Sequence, residues 1–236
     1  MLFTIITVTL NSEKTILKTI ESIDNQVFKN FEYIIIDGGS NDETLNIIEK
    51  NLKKETLIIS EKDRGIYDAM NKGIEHSNGE YIGFLNSDDW FDNNTLEILN
   101  EFISLKKSDI IYGDAKFYNR GKLMFYAKAE IKNLSKDMSL LHSSFYVKRS
   151  LIKQYKFNDS MLITSDYEQM IKLKKSYKFS YINVSLSNVS MGGISSNLLL
   201  SSKEFYLIQY KYFGLFNSVI NYIKKYHYHI IKILFF

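Results

Sequence analysis

Two adjacent carboxylates, Asp88 and Asp89, directly follow an apolar run at residues 81–85. Neighbouring like charges repel, so this arrangement indicates either a shared cation or a carboxylate that caps the following helix. Oxygen ligands suit Mg²⁺ and Mn²⁺, which often use one or two protein carboxylates and take their other ligands from phosphate and water. The pair therefore predicts a divalent cation, Mg²⁺ or Mn²⁺, that holds a diphosphate-containing ligand.

Three further polar clusters each come directly after an apolar run. Asn11 follows the first run, Asp37 and two glycines ending at Gly39 follow the second, and residues 61–65, including Arg64, follow the third. Turn formation explains any one cluster, but it explains all four together poorly. The carboxyl ends of parallel strands meet at one edge of an open sheet, so we expect the clusters to border a single crevice.

The elements that position these clusters are predicted by two alternating hydrophobic periods. Strands are expected at residues 4–9, 31–36, 56–60 and 81–85, and helices near residues 16–23, 45–48, 66–74 and 93–105. This alternation predicts an α/β fold with a mostly parallel sheet flanked by helices. A short strand at 109–112, a mixed-sheet extension around 117–127, a helix at 166–175 and a loop-rich stretch at 185–202 are expected to follow.

Composition excludes several classes of protein. With 236 residues, 45% apolar and 24% charged, the chain is long enough for one globular core with an appended tail. The absence of cysteine excludes disulfide scaffolds and thiolate-bound metals. A net charge of +3 is too small to indicate a nucleic-acid partner. The first ten residues do not resemble a signal peptide, so the cytoplasm is the expected location, with the inner face of the plasma membrane as an option.

Four stretches, in order and at matching spacing, resemble family 2 glycosyltransferases of the GT-A fold, in particular the bacterial surface-polysaccharide type. They are residues 7–11, 33–44, 60–73 and 79–90. The resemblance implies a Rossmann-like sheet that binds a nucleoside-diphosphate sugar, usually a UDP-sugar, with a divalent ion. It also implies transfer of a hexosyl or N-acetylhexosaminyl group, with inversion, to a hydroxyl of a glycan or lipid-linked acceptor in cell-surface polysaccharide synthesis.

The resemblance assigns the residues of the donor site. Ser87-Asp88-Asp89 matches the DXD-type motif of the family, with Asp88 near the ribose and Asp89 on the metal. Asp37 is expected at the nucleobase. The complete set of implied nucleotide-sugar contacts is Thr9, Asn11, Asp37, Gly39, Arg64, Asn71 and Asp88. Asn71 lies on a predicted helix whose polar face is also the expected solvent side, so a structural role is equally open for it.

The second half of the chain resembles the acceptor half of the family. Residues 163–167 match a segment that carries the catalytic base, which the resemblance places at Asp166. Ser165 stands where the family usually has an acidic residue. Two alternatives stay open at this point: Asp166 as a plain helix cap, and Glu168 as the base.

Weaker matches suggest further residues near the substrates. His142 lies in a segment that the resemblance places on the acceptor side, although a lone histidine among apolar residues is often simply packed. Gly192 and Gly193 match a loop that closes over the donor, and an ordinary turn explains them equally well.

We predict a catalytic domain at residues 1–204, with a nucleotide-sugar half at about 1–112 and an acceptor half at about 113–204. Residues 205–236 form a predicted helical tail that is rich in aromatic residues and lysine. This composition suits either membrane contact or dimerisation.

Two other functions stay open. A non-catalytic nucleotide-sugar-binding or partner protein is compatible with Ser165 at the position of an acidic residue. A sugar nucleotidyltransferase would also need a metal and phosphates, but the chain lacks the Gly-rich, basic N-terminal loop expected of that class.

Overall fold

The structure of the protein, a computed structural model, describes residues 1–193 and 197–235, with side chains for all of these except 198 and 225–235. Two sequence-based expectations fall partly outside this set. Residues 194–196 of the predicted loop-rich stretch lie outside the described residues. In the predicted tail, the same holds for Phe236 and for the side chains of residues 225–235.

The first half of the chain alternates strands and helices as predicted. The strands are β1 (Phe3–Thr9), β2 (Phe31–Asp37), β3 (Thr56–Ser60) and β4 (Tyr81–Phe84). The helices are α1 (Ile16–Asp24), α2 (Thr44–Asn51), α3 (Ile66–His76) and α4 (Thr95–Leu105). The four strands are parallel and lie in the order β3-β2-β1-β4, with Thr9 beside Asp37 and Asp37 beside Ser60. All four polar clusters therefore follow strand ends at one edge of the sheet.

The second half extends this sheet with antiparallel strands. Its strands are β5 (Ile110–Asn119), β6 (Lys122–Ala127), β7 (Phe145–Lys148) and β8 (Phe179–Ser190). Its helices are α5 (Arg149–Gln154), α6 (Ser165–Lys174), α7 (Leu198–Phe235) and two 3₁₀ turns at Ile131–Asn133 and His142–Ser144. β7 is antiparallel to β4 and β5, β6 is antiparallel to β5, and β8 is parallel to β5. The predicted α/β fold with a mixed extension and a C-terminal helix is confirmed.

Residues 185–190 belong to β8, whereas their composition predicted a loop. The strand forms because its polar side chains find partners inside the protein: the Ser187 hydroxyl lies 2.7 Å from that of Ser144. Asn188 exchanges backbone hydrogen bonds with Trp90 and donates its side-chain amide to Asp92. A buried polar group costs little once it is hydrogen-bonded, so tertiary pairing overrides the local loop preference.

Two apolar cores cover the two faces of the sheet. Every residue of β1 is buried, with Phe3 and Ile5 in one core and Ile6 and Val8 in the other. Successive side chains of a strand point to opposite faces, which explains this alternation. The nearly continuous apolar runs of β1, β2 and β4 are thus strands buried on both sides, whereas the edge strand β3 is partly exposed.

Helix α7 joins the catalytic fold to the predicted tail. Its backbone leaves helical geometry at Gly214, where φ is 79° and glycine carries no Cβ penalty. Before this break, Phe205 and Ile208 lie in the main core with 0% and 2% of their surface exposed. Gln209 donates a hydrogen bond to the Tyr167 hydroxyl. The boundary predicted at residue 204 therefore falls inside a helix that contributes to the core.

We expect a chain that ends at Glu204 to fail to fold, whereas a chain that ends at Lys224 should stay folded. Loss of a buried Phe or Ile side chain costs about 2–5 kcal/mol, a large part of a typical stability of about 5–15 kcal/mol. Circular dichroism and thermal unfolding of the two truncated proteins would check this. A cooperative transition in the shorter chain would show that residues 205–236 are dispensable for folding.

Within residues 1–193 and 197–235, no helix combines the length and the hydrophobicity needed to cross a membrane.

Candidate active site

A cavity of about 870 Å³ opens at the edge of the sheet where the parallel strands end. Its walls come from the loops after β1 and β4, the start of α3, the 3₁₀ turn at His142–Ser144, the segment before α6 and the end of β8. Seven of the predicted site residues line it: Thr9, Asn11, Asp88, Asp89, His142, Asp166 and Gly193. The cavity therefore brings together residues from both predicted halves of the chain.

The carboxylate pair lies in the wall of this cavity, and its immediate surroundings hold Asp89 in place. Asp89 is 3% exposed, and its Oδ1 accepts a hydrogen bond of 2.9 Å from the Ser190 backbone N–H. The Thr19 hydroxyl donates to its backbone oxygen over 2.7 Å. Burial, followed by the charge of Asp88, raises the pKa of Asp89 to about 7, and burial also raises the pKa of Asp88.

The chemistry of this pair fits a divalent cation. Two partly desolvated carboxylates at adjacent positions are destabilised as anions, and a cation beside them would relieve that cost. Carboxylate oxygens are the ligands that Mg²⁺ and Mn²⁺ prefer. Among the described residues, no group of three or more His, Cys, Asp or Glu side chains is placed to hold a metal ion.

The loop after β8 lies against the same pair. A Cβ atom at Gly193 would stand 3.4 Å from Asp88 Oδ2, so this glycine approaches the carboxylate closely. Gly192 adopts a φ of 105°, a conformation that side chains other than glycine rarely take, and it does not line the cavity. The predicted loop is thus next to the predicted donor site.

His142 contacts two groups of the cavity wall, the Asp166 carboxylate and the Asn86 side-chain amide. Its Nδ1 lies 3.3 Å from Asp166 Oδ2, and its Nε2 lies 2.9 Å from Asn86 Nδ2, two residues before Asp88. Burial lowers the pKa of His142. The hydrogen bond and charge of Asp166, with smaller contributions from Asp89 and Asp88, together raise the pKa by more than burial lowers it, so the pKa lies above its ordinary value. His142 therefore connects Asp166 to the loop that carries the carboxylate pair.

Asp166 is 5% exposed and held by several contacts. Its Oδ1 accepts hydrogen bonds from the Tyr167 backbone N–H at 2.9 Å and from the Tyr67 hydroxyl at 3.0 Å. The Tyr67 hydroxyl also lies 2.6 Å from the Ile163 carbonyl oxygen. Tyr67, on α3, thereby fixes the position of the carboxylate relative to the donor half.

Helix α7 supports the same segment from behind. The buried carboxylate of Glu204 accepts hydrogen bonds of 2.7–3.0 Å from the backbone N–H groups of Leu162, Ile163 and Thr164. It also accepts one from the Thr164 hydroxyl. Hydrogen bonds to a charged acceptor are stronger than neutral ones, so this residue fixes the loop that precedes Asp166.

The surroundings of Asp166 and Glu168 distinguish the alternatives for the base. The N-cap residue of α6 is Thr164, and Asp166 lies within the first turn. The Ser165 hydroxyl accepts a hydrogen bond from the Asn158 backbone N–H. Glu168 does not line the cavity, and its carboxylate binds Lys172, Lys211 and the Tyr212 hydroxyl. Of the two acidic candidates, Asp166 alone faces the cavity.

The turn after β2 is organised by Asp37, which is fully buried. Its carboxylate accepts hydrogen bonds from the Gly39 and Ser40 backbone N–H groups and from the hydroxyls of Ser40 and Ser60. Gly39 has a φ of 88°, which the turn requires. Asp37 and Gly39 do not line the cavity; they shape the loop that packs beside Asn11.

Two further predicted donor contacts, like Asp37 and Gly39, lie outside the cavity. Arg64 is exposed and forms ion pairs of 2.7 Å with Asp68 and 2.5 Å with Asp159. Asn71 connects α3 to the loop after α5: its Nδ2 donates to the Phe157 carbonyl oxygen and its Oδ1 accepts from the Phe157 N–H, both at 3.0 Å. These contacts fit structural roles.

Comparison with known proteins now identifies the family. The model of "Glycosyl transferase family 2" matches residues 4–168, which include the carboxylate pair, His142 and Asp166. The chain belongs to glycosyl transferase family 2. The family resemblance carried by the four sequence stretches is thereby confirmed.

Curated relatives of this glycosyltransferase match most of its length. A "PGL/p-HBAD biosynthesis glycosyltransferase" of Mycobacterium bovis is 29% identical over 213 residues, covering 86% of this chain and 82% of the relative. The "UDP-Glc:alpha-D-GlcNAc-diphosphoundecaprenol beta-1,3-glucosyltransferase WfgD" of Escherichia coli is 27% identical over 205 residues, covering 83% of this chain and 80% of the relative.

Solved structures confirm the GT-A fold of this glycosyltransferase. TarS of S. aureus (residues 1–349), in complex with UDP-GlcNAc, superposes with a TM-score of 0.73 at 22% identity, and the match covers 88% of this chain and 64% of that chain. The glycosyltransferase thus spans less than two thirds of the TarS chain. The mannosyltransferase PcManGT of Pyrobaculum calidifontis, in complex with GDP-Man and Mn²⁺, superposes with a TM-score of 0.62 at 15% identity. That match covers 86% of this chain and 61% of the PcManGT chain.

Several residues in the site of this glycosyltransferase were not singled out from the sequence. Asp63 lines the cavity, and its Oδ1 accepts a hydrogen bond from the Gly65 N–H. Tyr67 also lines the cavity; it lies in a matched stretch and on a predicted helix, but no motif there assigned it a contact with the substrates. Asn86 also lines the cavity, and its Oδ1, like the Oγ1 of the predicted contact Thr9, is buried and has no hydrogen-bond partner among the described residues. Such atoms indicate where a ligand donor would be accommodated.

We expect Asn71→Ala to lower the free energy of unfolding of the glycosyltransferase by about 2–3 kcal/mol, because two backbone hydrogen bonds lose their partner. Asn51→Ala is the matched control, since Asn51 is exposed and donates one hydrogen bond within its own helix; a change below about 0.5 kcal/mol is expected there. Urea denaturation measures both. Equal effects would contradict the structural role of Asn71.

Proposed function

We propose that the protein is an inverting, cation-dependent glycosyltransferase that moves a sugar from a UDP-sugar to a hydroxyl of a glycan or lipid-linked acceptor in cell-surface polysaccharide assembly. One observation carries the proposal: the carboxylate pair Asp88-Asp89 and the buried carboxylate Asp166 line one cavity. An inverting transfer needs a diphosphate site and a base beside the same substrate. The family supports the reaction class.

The proposed donor site surrounds the carboxylate pair. Asp89, with Asp88 beside it, would hold the divalent cation, which supplies charge stabilisation to the departing diphosphate. Thr9 and Asn11 are proposed to contact the nucleotide because they line the same cavity. Asp37 and Gly39 would act by shaping the neighbouring loop, and Arg64 and Asn71 by supporting α3. UDP-GlcNAc in TarS and the UDP-Glc named for WfgD support a uridine donor.

At the acceptor end, Asp166 is proposed to take the proton of the acceptor hydroxyl as that hydroxyl attacks the anomeric carbon. A hydroxyl is a weak nucleophile, so removal of its proton during attack lowers the barrier. Tyr67 and His142 fix the two oxygens of Asp166, which keeps the carboxylate oriented.

The loop at Gly192 and Gly193 is proposed to close over the donor, because Gly193 already lies beside Asp88. Closure would exclude water and limit donor hydrolysis. Residues 205–236 contain four lysines and no acidic residue. This composition supports a location at the inner face of the plasma membrane, where anionic lipids attract such segments; self-association through the tail is the alternative.

The proposal is tested by calorimetric titration of the full chain with UDP, GDP and CDP, each with and without Mn²⁺. We expect UDP to bind most tightly, and only with the cation. Incubation with UDP-sugars and candidate acceptors, followed by NMR of the new glycosidic bond, would then show inversion.

Absence of nucleotide binding under every condition would refute the donor site. Binding without turnover would indicate a partner protein, and release of pyrophosphate from a nucleoside triphosphate and a sugar phosphate would indicate a nucleotidyltransferase.

A further inference from the structure

A second cavity of about 200 Å³ adjoins the active-site cavity. We call it the hairpin groove; it lies between the β5–β6 hairpin and the segment at 127–141. Six of its lining residues are Phe117, Phe125, Ala127, Lys128, Met138 and Leu141. Phe117, Met138 and Leu141 also line the active-site cavity, so the groove continues from the side of that cavity that the second half of the chain forms.

The floor of the hairpin groove is apolar and ordered. Phe117 pairs with Phe125 across the two strands, and their rings stack with centroids 4.8 Å apart and planes 12° apart. Ala127 follows Phe125 by two residues and therefore shares its face of β6. Cross-strand aromatic pairs stabilise a sheet, so this floor is a fixed surface.

Strand β6 also presents apolar side chains to solvent. Four consecutive residues, Leu123, Met124, Phe125 and Tyr126, are 38%, 50%, 43% and 66% exposed. Among the strands of the described residues, β6 pairs with β5 alone. Successive side chains of a strand alternate in direction, so of these residues Phe125 faces the hairpin groove and Tyr126 faces the opposite side. Edge strands are usually protected by charge or cover, and exposed apolar side chains on such a strand favour an apolar partner.

A lysine side chain, Lys128, borders this apolar surface. Lys128 lines the hairpin groove and takes part in no ion pair within the described residues. The acidic side chains nearby are already engaged: Asp114 accepts hydrogen bonds from the Tyr181 hydroxyl and the Ala129 N–H, and Glu130 binds Asn133 and Lys132. Lys128 is thus available to an anionic group of a ligand.

We propose that the hairpin groove binds the apolar chain of a lipid-linked acceptor and that Lys128 pairs with the phosphate that joins this chain to the sugar. The proposal rests on the function proposed above and selects the lipid-linked acceptor over a free glycan. Glycan hydroxyls need hydrogen-bond partners, and among the groove side chains Lys128 and Ser139 are the polar ones. The terminal sugar would then extend past the shared lining residues Phe117, Met138 and Leu141 toward Asp166.

The test is binding of farnesyl diphosphate, below its aggregation concentration, to the full chain saturated with UDP and Mn²⁺. We expect binding that UDP does not displace, and a loss of affinity of about tenfold or more in Phe125→Ala and in Lys128→Ala. Tyr126→Ala is the matched control, because the Tyr126 side chain is next to Phe125 in sequence, is more exposed than Phe125 and lies on the other face of β6. This variant should bind farnesyl diphosphate with the affinity of the wild type. Farnesol should bind more weakly and be insensitive to Lys128→Ala.

Three results would overturn the proposal: equal affinity of the wild type and Phe125→Ala, displacement of farnesyl diphosphate by UDP, or equal losses in Tyr126→Ala and Phe125→Ala. Thermal unfolding of each variant separates a loss of binding from a loss of fold. The function proposed above fails independently, because it falls if UDP does not bind in the presence of Mn²⁺. Phe125-dependent binding of farnesyl diphosphate in that case would leave the groove assigned and the donor site refuted.

Discussion

Replacing Asp166 with asparagine is expected to lower the turnover number about 1,000-fold or more while the dissociation constant of the UDP-sugar changes less than about twofold. Asparagine keeps the size of the side chain and one oxygen that can accept from Tyr67, but its amide cannot take a proton. Loss of a general base alone costs about 10²–10⁴ in rate. Single-turnover transfer and calorimetric donor binding measure the two quantities separately.

Glu168→Gln is the matched control, because Glu168 lies on the same helix two residues further on. Glu168 is 2% exposed, and its carboxylate connects α6 to α7 through Lys211 and the Tyr212 hydroxyl. Burial raises the pKa of Glu168, but hydrogen bonds from Lys211, Lys172 and Tyr212 lower it more, so the pKa lies below its ordinary value. We expect the variant to lose stability and to keep the turnover number. Normal transfer by Asp166→Asn, or loss of transfer only in Glu168→Gln, would reassign the base.

The second large effect is expected at Asp89. Asp89→Asn should weaken UDP binding in the presence of Mn²⁺ about 100-fold or more, because Asp89 is the proposed cation ligand and the cation joins the protein to the diphosphate. The asparagine oxygen can still accept from the Ser190 N–H, so the loop at 86–92 should keep its shape. Ligands that bind the folded state raise its stability, so UDP with Mn²⁺ should raise the melting temperature of the wild type and not that of the variant.

Asp92→Asn serves as the control for this prediction. Asp92 lies on the same loop, but its carboxylate binds Lys116 and the Asn188 amide and does not line the cavity. We expect this variant to be less stable and to bind UDP with unchanged affinity. The metal assignment would be wrong if UDP affinity proved independent of Mn²⁺ in the wild type, or if Asp89→Asn bound UDP as the wild type does.

Much of the donor half could be predicted from the sequence because its signals are local. Runs such as residues 31–36 and 56–60 have the length and β-branched content of buried strands, and helical spacing separates them. Parallel strands then place their carboxyl ends at one edge without further information. This is why Asn11 and the pair at residues 88–89 were expected beside one crevice, and the structure places them there.

Side-chain direction in that half could not be predicted. Arg64 and Asn71 lie in stretches that match the family, yet both point away from the cavity toward partners about 90 residues later, Asp159 and Phe157. A sequence pattern indicates which helix face is polar, but long-range contacts decide which polar residue faces the ligand. The same holds for Asp37, whose carboxylate accepts hydrogen bonds from backbone N–H groups of its own turn.

The family, the α/β order of the first half and the residue types of the site could be predicted from local signals, because strand and helix periods and short motifs are encoded within tens of residues. Which of these residues meet depends on contacts between distant parts of the chain. The tertiary structure places Asp166 against His142, His142 against Asn86, and Gly193 beside Asp88. These contacts depend on the antiparallel strands β5–β7, on β8 and on helix α7, whose positions are fixed by packing and by buried polar pairs between distant parts of the chain.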